Sequence, residues 1–271
     1  MSNPGLKELL DAGVHFGHQT GRWNPKMRPF IYGARGGVHI IDLSKTVRLL
    51  DRGLEAVANT VAQGKSVLFV GTKKQAQEIV KEEASRARQH YITSRWLGGT
   101  LTNWATMKGR VERLKELERM AADGSLEKYT KKEALMLERE REKLERNVGG
   151  VKNMNGLPGL IFVIDPRKEE IAVQEANRLG IPVMAITDTN CNPDGIEFIV
   201  PGNDDAIRSI TLFAKAISDA CIEGSRRAPG GGGDRNAPSA NTTWDAETRS
   251  IVQAGGNDVE VRRKGAAPAE G

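Results

Sequence analysis

The chain has 271 residues, of which 38% are apolar, so it is long enough to bury a hydrophobic core as one domain with or without an appendage. It contains no run of eighteen apolar residues and begins without a cationic segment followed by an apolar one, so we expect neither a membrane span nor a secretory signal. Cys191 and Cys221 fit no metal-binding or redox motif, which predicts two buried thiols in a reducing cytoplasm.

The net charge of +5 is unevenly distributed along the chain. Lys and Arg outnumber Asp and Glu by seven to three in residues 1–50 and by nine to three in residues 65–110. Acidic residues lead by eleven to six in residues 151–224. Clustered cations are typical of a surface that binds a polyanion, because neutralising phosphates releases counterions. The basic stretches therefore favour a nucleic-acid partner, and we expect the acidic stretch to face solvent or protein.

The first 64 residues predict a basic loop region and then a helix. The stretch Gly17–Gly37 is rich in glycine and proline, which predicts a loop, and the short apolar run Val38–Leu43 follows it. Apolar residues at helical spacing from Leu49 onward predict a helix that Gly64 ends.

The middle of the chain predicts a strand–turn–helix unit followed by a helical hairpin. Residues 66–87 are typical of a buried strand, a glycine turn and a helix, and residues 89–93 predict the start of another strand. Two segments between Asn103 and Val148 place leucine and other apolar residues at helical spacing among balanced charges, with a break at Asp123-Gly124. A narrow apolar stripe of this kind predicts an antiparallel coiled-coil hairpin, whose second helix starts at a capping box, Thr130 to Glu133.

Residues 151–224 return to alternating strands and helices. Strands that are continuous apolar runs indicate a parallel sheet covered on both faces. The predicted fold class is therefore α/β, a doubly wound and mainly parallel sheet with helices on both faces and an inserted hairpin. The predicted boundaries are 1–102 and 151–224 for the two parts of the body, 103–150 for the hairpin, and 225–271 for a disordered tail rich in Gly, Pro, Ser and Asn.

A parallel sheet also raises the hypothesis of a nucleotide-binding enzyme. The turn Gly71–Lys74 lacks the further glycines of a dinucleotide-binding loop and the Gly-Lys-Ser/Thr of a phosphate-binding loop, although Lys73 and Lys74 could meet a phosphate. Asp165, Asp188, Thr189 and Asp194 cluster near predicted strand ends, where they act as either ligands or turn residues. We expect no catalytic site.

Histidines give a second alternative. His15 and His18 are three residues apart, a spacing that puts both on one face of a helix and could bind zinc with distant acids. Two ligands without a third are weak support for a site, so we expect no metal, no other cofactor and no small-molecule substrate.

The strongest chemical signal is a set of aromatic residues interleaved with cations. Arginine and lysine meet phosphates, and flat side chains stack on unpaired bases. Trp23 and Trp96 have an alternative role as packing anchors. The predicted RNA-binding residues are Arg22, Trp23, Lys26, Arg28, Arg35, Lys73, Lys74, Arg95, Trp96, Asn103 and Arg110.

Three long motifs make the sequence resemble the bacterial ribosomal protein S2 family over residues 5–224. They are LLDAGVHFGHQTGRWNPKM with HIIDLSKT, then VLFVGTKKQAQ with RWLGGTLTNW, and then a nearly continuous match over Pro158–Ile210. One departure is Arg35-Gly36-Gly37, where relatives commonly carry Arg-Asn-Gly.

The resemblance implies a structural, non-catalytic component of the small ribosomal subunit in the cytoplasm. It implies an α/β body with an inserted coiled coil that binds small-subunit rRNA, with Gly21–Arg35 and Arg95–Asn103 facing the RNA. It also implies contacts with other small-subunit proteins, including the seating of the large mRNA-binding protein one, and no membrane. A free RNA-binding regulator would differ only in where it resides.

Overall fold

The computed structural model describes residues 3–228 and, beyond them, the two short strands 242–244 and 251–253. In residues 3–228 strands and helices alternate after β3, except where α5 follows α4 and β8 follows β7. In chain order they are α1 (Leu6–Asp11), β1 (Phe16–Gln19), β2 (Ile31–Arg35), β3 (Val38–Ile41), α2 (Leu43–Ala62), β4 (Val67–Val70), α3 (Lys74–Arg86), β5 (His90–Ile92), α4 (Trp104–Ala122), α5 (Lys131–Val148), β6 (Leu160–Ile164), α6 (Glu170–Arg178), β7 (Val183–Thr187), β8 (Phe198–Pro201) and α7 (Ile207–Arg227).

A five-stranded parallel sheet in the order β5-β4-β6-β7-β8 forms the centre of the fold. Every residue of β4, β6 and β7 is buried, because helices cover both faces. Phe69 and Phe162 point into one core cluster with residues of α2, α3 and α7, whereas Leu68 and Ile161 point into a second cluster with residues of α4 and α6. The predicted α/β class and the parallel sheet are confirmed.

The N-terminal region is a small antiparallel sheet, not the loop predicted from its glycines and prolines. Its strands pair in the order β1-β3-β2, and Gly36 and Gly37, both with positive φ, form the turn between β2 and β3. The segment between β1 and β2 contains 3-10 helices at Thr20–Arg22 and Pro25–Phe30, and Met27 is fully buried. The prediction failed because glycine and proline here supply turns and helix starts within ordered structure.

Helices α4 and α5 follow β5 and precede β6, and a 3-10 helix at Ser125–Lys128 lies between them. The capping box is confirmed, since Thr130 Oγ1 accepts from the Glu133 N–H and the Glu133 carboxylate accepts from the Thr130 N–H. Arg113 on α4 forms an ion pair with Glu140 on α5 at 3.1 Å. Coiled-coil packing of the pair and the boundaries 103–150 stay predictions.

The predicted disordered tail falls mostly outside the described residues. Helix α7 continues to Arg227, three residues past the predicted boundary. A second unit, Gly233–Gly271, contains strands β9 (Thr242–Trp244) and β10 (Ile251–Gln253), which pair antiparallel. None of the described helices is both long and apolar enough to cross a membrane.

Candidate nucleic-acid interface

The carboxyl ends of the parallel strands carry a buried cluster of acidic residues around one lysine. The strand order reverses between β4 and β6, which is where ligands bind in sheets of this topology. Here the Lys73 ammonium contacts Asp165 at 2.9 Å, Asp204 at 2.7 Å and Asp205 at 2.8 Å. Asp204 is fully buried, and its second oxygen has no hydrogen-bond partner among the described residues.

The carboxylates of this cluster stabilise the charge of Lys73, whereas they repel one another. Burial by itself lowers the pKa of Lys73, but the charge of Asp204 and hydrogen bonds to the three aspartates outweigh it and raise the pKa, so Lys73 stays a cation. Burial raises the pKa of Asp204, and the neighbouring Asp165 raises it further, whereas Lys73 opposes both effects. Three carboxylates contact the Lys73 ammonium and its side chain is only 13% exposed, which argues against an RNA contact of Lys73, although that contact stays a prediction.

His18 extends the cluster towards the surface. Its Nδ1 lies 3.0 Å from Asp188 and its Nε2 lies 3.5 Å from Asp205, and the hydrogen bond to Asp188 is the main cause of its raised pKa. His18 belongs to strand β1 and His15 precedes that strand, so the helical face considered from their spacing does not exist.

Among the described residues, two groups could hold a metal ion, His18 with Asp188 and Asp204, and Asp165 with Cys191 and Asp204. Within each group the potential ligand atoms lie within 4.8 Å of one another. Imidazole, thiolate and carboxylate are donors that zinc accepts. Burial raises the pKa of the Cys191 thiol, so the free thiol carries no nucleophilic charge. The expectation that no metal is bound stays untested.

A polar cleft of 630 Å³ lies beside this cluster and brings two predicted RNA-binding residues together, Arg22 and Trp23. The Asn24 N–H donates to the Thr189 carbonyl at 2.8 Å, which fixes this segment to the residues after β7. Arg167 and Asn190 also line the cleft. The sequence analysis did not predict a role for Arg167. Its position three residues after the end of β6, where ligands bind in parallel sheets, could have indicated one.

The other predicted residues of the N-terminal region differ in their partners. Lys26 forms an ion pair with Asp194, so its charge is already balanced within the chain. Arg28 and Arg35 are exposed, and neither side chain has a hydrogen bond or ion pair within residues 3–228. Lys74, at the start of α3, is exposed in the same way.

Trp96 is a packing anchor, which was one of its two predicted roles. It is 7% exposed, and its indole N–H donates to Glu175 at 3.0 Å. The Glu175 carboxylate also accepts from the N–H groups of Gly99, Leu101 and Thr102 and from the Thr102 hydroxyl. The sequence analysis did not predict a role for Glu175, because the turn that it binds lies more than 70 residues away in sequence.

Three predicted residues around this turn stay exposed. Arg95 precedes Trp96, and Arg110 lies one to two turns into α4. Asn103 stands at the start of α4, where its side-chain oxygen accepts from the Thr106 hydroxyl at 2.8 Å. The carboxylate of Glu175 thus holds the turn from which Arg95 and Asn103 project to solvent.

A family model and individual relatives all relate this chain to the same family of proteins. The sequence model of the family described as "Ribosomal protein S2" matches residues 9–224. The chain is 60% identical to "Small ribosomal subunit protein uS2" of Geotalea uraniireducens over 83% of this chain and 88% of that protein. The protein of the same name from Sorangium cellulosum is 61% identical over 82% of this chain and 80% of that protein. The one from Desulfovibrio desulfuricans is 54% identical over 94% of this chain and 97% of that protein.

Proposed function

We propose a detailed role for this chain from one established premise, that it belongs to the ribosomal protein S2 family. It is a structural component of the small ribosomal subunit that acts in translation, and it is not an enzyme. The predicted family and the predicted membership of the small ribosomal subunit are therefore confirmed. The proposal concerns how the chain binds its neighbours there.

The chain binds small-subunit rRNA through exposed cations that no carboxylate of the described residues neutralises. This is the observation that carries the proposal, because it separates free cations from Lys26 and Lys73, which aspartates already hold. Free guanidinium groups suit phosphates, since they bind them in a bidentate manner. The proposed RNA-binding residues are Arg22, Trp23, Arg28, Arg35, Lys74, Arg95, Asn103 and Arg110.

Neighbouring small-subunit proteins, including the large mRNA-binding protein one, bind the apolar side chains that remain exposed. On α5 these are Leu135 and Met136, which are 52% and 61% exposed. On α1 they are Leu6 and Leu10, which are 55% and 53% exposed. Apolar side chains that cluster in this way on a surface support a protein contact. In this proposal α4 and α5 form the coiled coil predicted for residues 103–150 and carry one of these contacts.

Sedimentation of a native lysate through a sucrose gradient at moderate magnesium tests the proposal. We expect the chain to co-migrate with small subunits and whole ribosomes and to stay bound through a moderate salt wash. A variant with Arg28→Gln, Arg35→Gln and Arg95→Gln should be released at lower salt, and Arg28→Gln alone should act in the same direction. The single change Lys26→Gln, which removes one charge from the same segment as Arg28→Gln, should not. A chain found only at the top of the gradient, with normal subunits present, would contradict the proposal.

A further inference from the structure

The cleft lined by Arg22, Trp23, Asn24, Arg167 and Asn190 differs from the acidic cluster beside it in both charge and shape. We propose that it binds a single unpaired nucleotide of small-subunit rRNA, with the phosphate between Arg22 and Arg167 and the base against Trp23. This inference rests on the proposed function and goes beyond it, because it assigns one site and adds Arg167 to the RNA-binding residues.

The two guanidinium groups provide the site for a phosphate. Arg22 ends a 3-10 helix, and Arg167 lies in the turn after β6, so two separate parts of the chain bring positive charge to one cavity. Neither side chain forms a hydrogen bond or ion pair within residues 3–228. Two like charges in one cleft repel each other, so an anion bound between them is stabilised by both.

The neighbouring carboxylates are not ion-paired with these two arginines. Asp165 and Asp204 face Lys73, and Asp188 faces His18. Asp194 faces Lys26. Asp165, Asp204 and Asp205 share the single ammonium of Lys73, and Asp188 and Asp205 share His18, so the cluster keeps more carboxylates than cations. None of these acids forms an ion pair with Arg22 or Arg167, so the two guanidinium groups stay available to an external anion.

Trp23 provides the surface for a base. Its side chain is 37% exposed, and its ring lies 5.3 Å from the ring of His39, which packs against it at an angle of 48°. The backbone bond from Asn24 to Thr189 holds the next residue in place. An indole fixed on one side and open to a cleft on the other is an effective stacking surface for a base.

The size and shape of the cleft favour an unpaired nucleotide over duplex RNA. The cleft has a volume of 630 Å³ and is open to solvent, so it has room for one nucleotide that reaches in from the surface. A base within a helix is stacked on both faces and cannot reach an indole, whereas a base in a loop or bulge can be turned outward. The side-chain amides of Asn24 and Asn190 supply donors and acceptors for the edge of such a base.

Chemical probing of small subunits reconstituted with the full-length chain tests the site. Unpaired adenines and cytosines are methylated with dimethyl sulfate, and 2′-hydroxyl acylation covers the other nucleotides. We expect one unpaired nucleotide to be protected in subunits with the wild-type chain and to become several-fold more reactive with Trp23→Ala or Arg167→Gln. Both variants should also weaken binding of the chain to purified small-subunit rRNA by about tenfold, the effect expected of one stacked base or phosphate contact.

Arg52→Gln on α2 is the matched control, since it removes one exposed arginine charge outside the cleft. It should leave the protected nucleotide unchanged. If Arg167→Gln behaves like Arg52→Gln while the wild-type chain still binds and protects rRNA, the site is wrong and the proposed function stands. If the wild-type chain protects no rRNA at all, the proposed function itself fails. A free mononucleotide offers the same phosphate and base as a nucleotide of rRNA, so thermal melting of the chain with mononucleotides tests this alternative ligand. A saturable rise in melting temperature would overturn the assignment to rRNA.

Discussion

Lys73 supplies the positive charge that allows three aspartates to share the carboxyl edge of the sheet. Its sequence context, a lysine after a glycine turn at the start of a helix, also fits a phosphate contact. The two roles were inseparable from sequence, because Asp204 and Asp205 follow more than 130 positions later. Only the three-dimensional arrangement tells a cation bound by its own chain from one that is free.

Replacing Lys73 with methionine should lower the free energy of unfolding by about 3–5 kcal/mol, because the fully buried Asp204 would lose its ion-pair partner. Urea denaturation of the full chain measures the change. Lys74→Met removes an exposed lysine with no side-chain partner in the described chain, so it should stay within about 0.5 kcal/mol of wild type. Equal effects of the two substitutions would show that the aspartates do not depend on Lys73.

Glu175 on α6 plays a comparable role for the turn that precedes α4. Glu175→Gln replaces one acceptor oxygen with an amide that faces N–H donors, which should cost about 1.5–3 kcal/mol of unfolding free energy. Glu170→Gln, an exposed change on the same helix, should cost much less. The midpoint of urea denaturation again provides the comparison, and a shift no larger than that of Glu170→Gln would argue against an organising role.

The effect of Glu175 should also depend on pH. Burial raises the pKa of its carboxyl, but hydrogen bonds from Thr102, Trp96, Leu101 and Gly99 outweigh burial and lower the pKa below its usual value. A carboxyl whose pKa is lower in the folded state contributes stability that is complete above the unfolded pKa of about 4.3 and is lost as pH falls through the folded pKa. The difference between wild type and Glu175→Gln should therefore be constant near neutral pH and shrink below about pH 4. A difference that grows on acidification would contradict this.

At the level of elements, predictions from the sequence succeeded where one local property decides the outcome. The apolar runs of β4, β6 and β7 and the capping box of α5 are such cases. The N-terminal sheet was missed because β1 and β3 are only four residues long and partly exposed, so neither shows a clear alternation. Its strands are stabilised by pairing with one another and by contacts such as the bond from the His18 N–H to Thr189, which sequence spacing does not reveal.

Gly150 packs so closely against β5 that no side chain fits at its position. The sequence marks Gly149 and Gly150 equally as a helix stop, but a Cβ on Gly150 would lie 2.1 Å from the Tyr91 carbonyl oxygen. Gly150→Ala should therefore displace the segment after α5 from β5, and we expect a loss of about 1–3 kcal/mol, measured as a lower melting temperature. Gly156→Ala, where the added carbon meets no atom within 4 Å, should change little. Similar melting of both variants would disprove the close packing.

Over the whole molecule, the segregation of charge along the sequence was a better guide to function than any single residue. It indicated a polyanion partner, and membership of the family agrees with that indication. It could not assign individual contacts, because Lys26 and Lys73 lie in basic stretches and are neutralised, whereas Arg167 lies in the acidic stretch and is free. Pairing across the fold, and not local charge, decides which cations remain available.

Salt dependence of rRNA binding follows from this distribution of free cations. Arg22→Gln should flatten the slope of log affinity against log salt concentration by about 0.7–0.9, because one phosphate contact is lost. Arg178→Gln, an exposed arginine on α6 within the acidic stretch, should leave the slope unchanged. Filter binding with purified small-subunit rRNA measures both slopes. An unchanged slope for Arg22→Gln would remove that residue from the interface.

The order of strands in the central sheet has a consequence for how the chain is made. Strand β4 leaves the ribosome with only β5 to pair with, because its other neighbour, β6, is encoded after α4 and α5. Asp204 is synthesised 131 residues after Lys73, a delay on the order of ten seconds at ordinary rates of translation. A nascent chain that stops just before Asp204 has all five strands of the sheet but lacks two of the three carboxylates that contact Lys73. The ionic cluster therefore closes late in synthesis, only after every strand of the central sheet has been made.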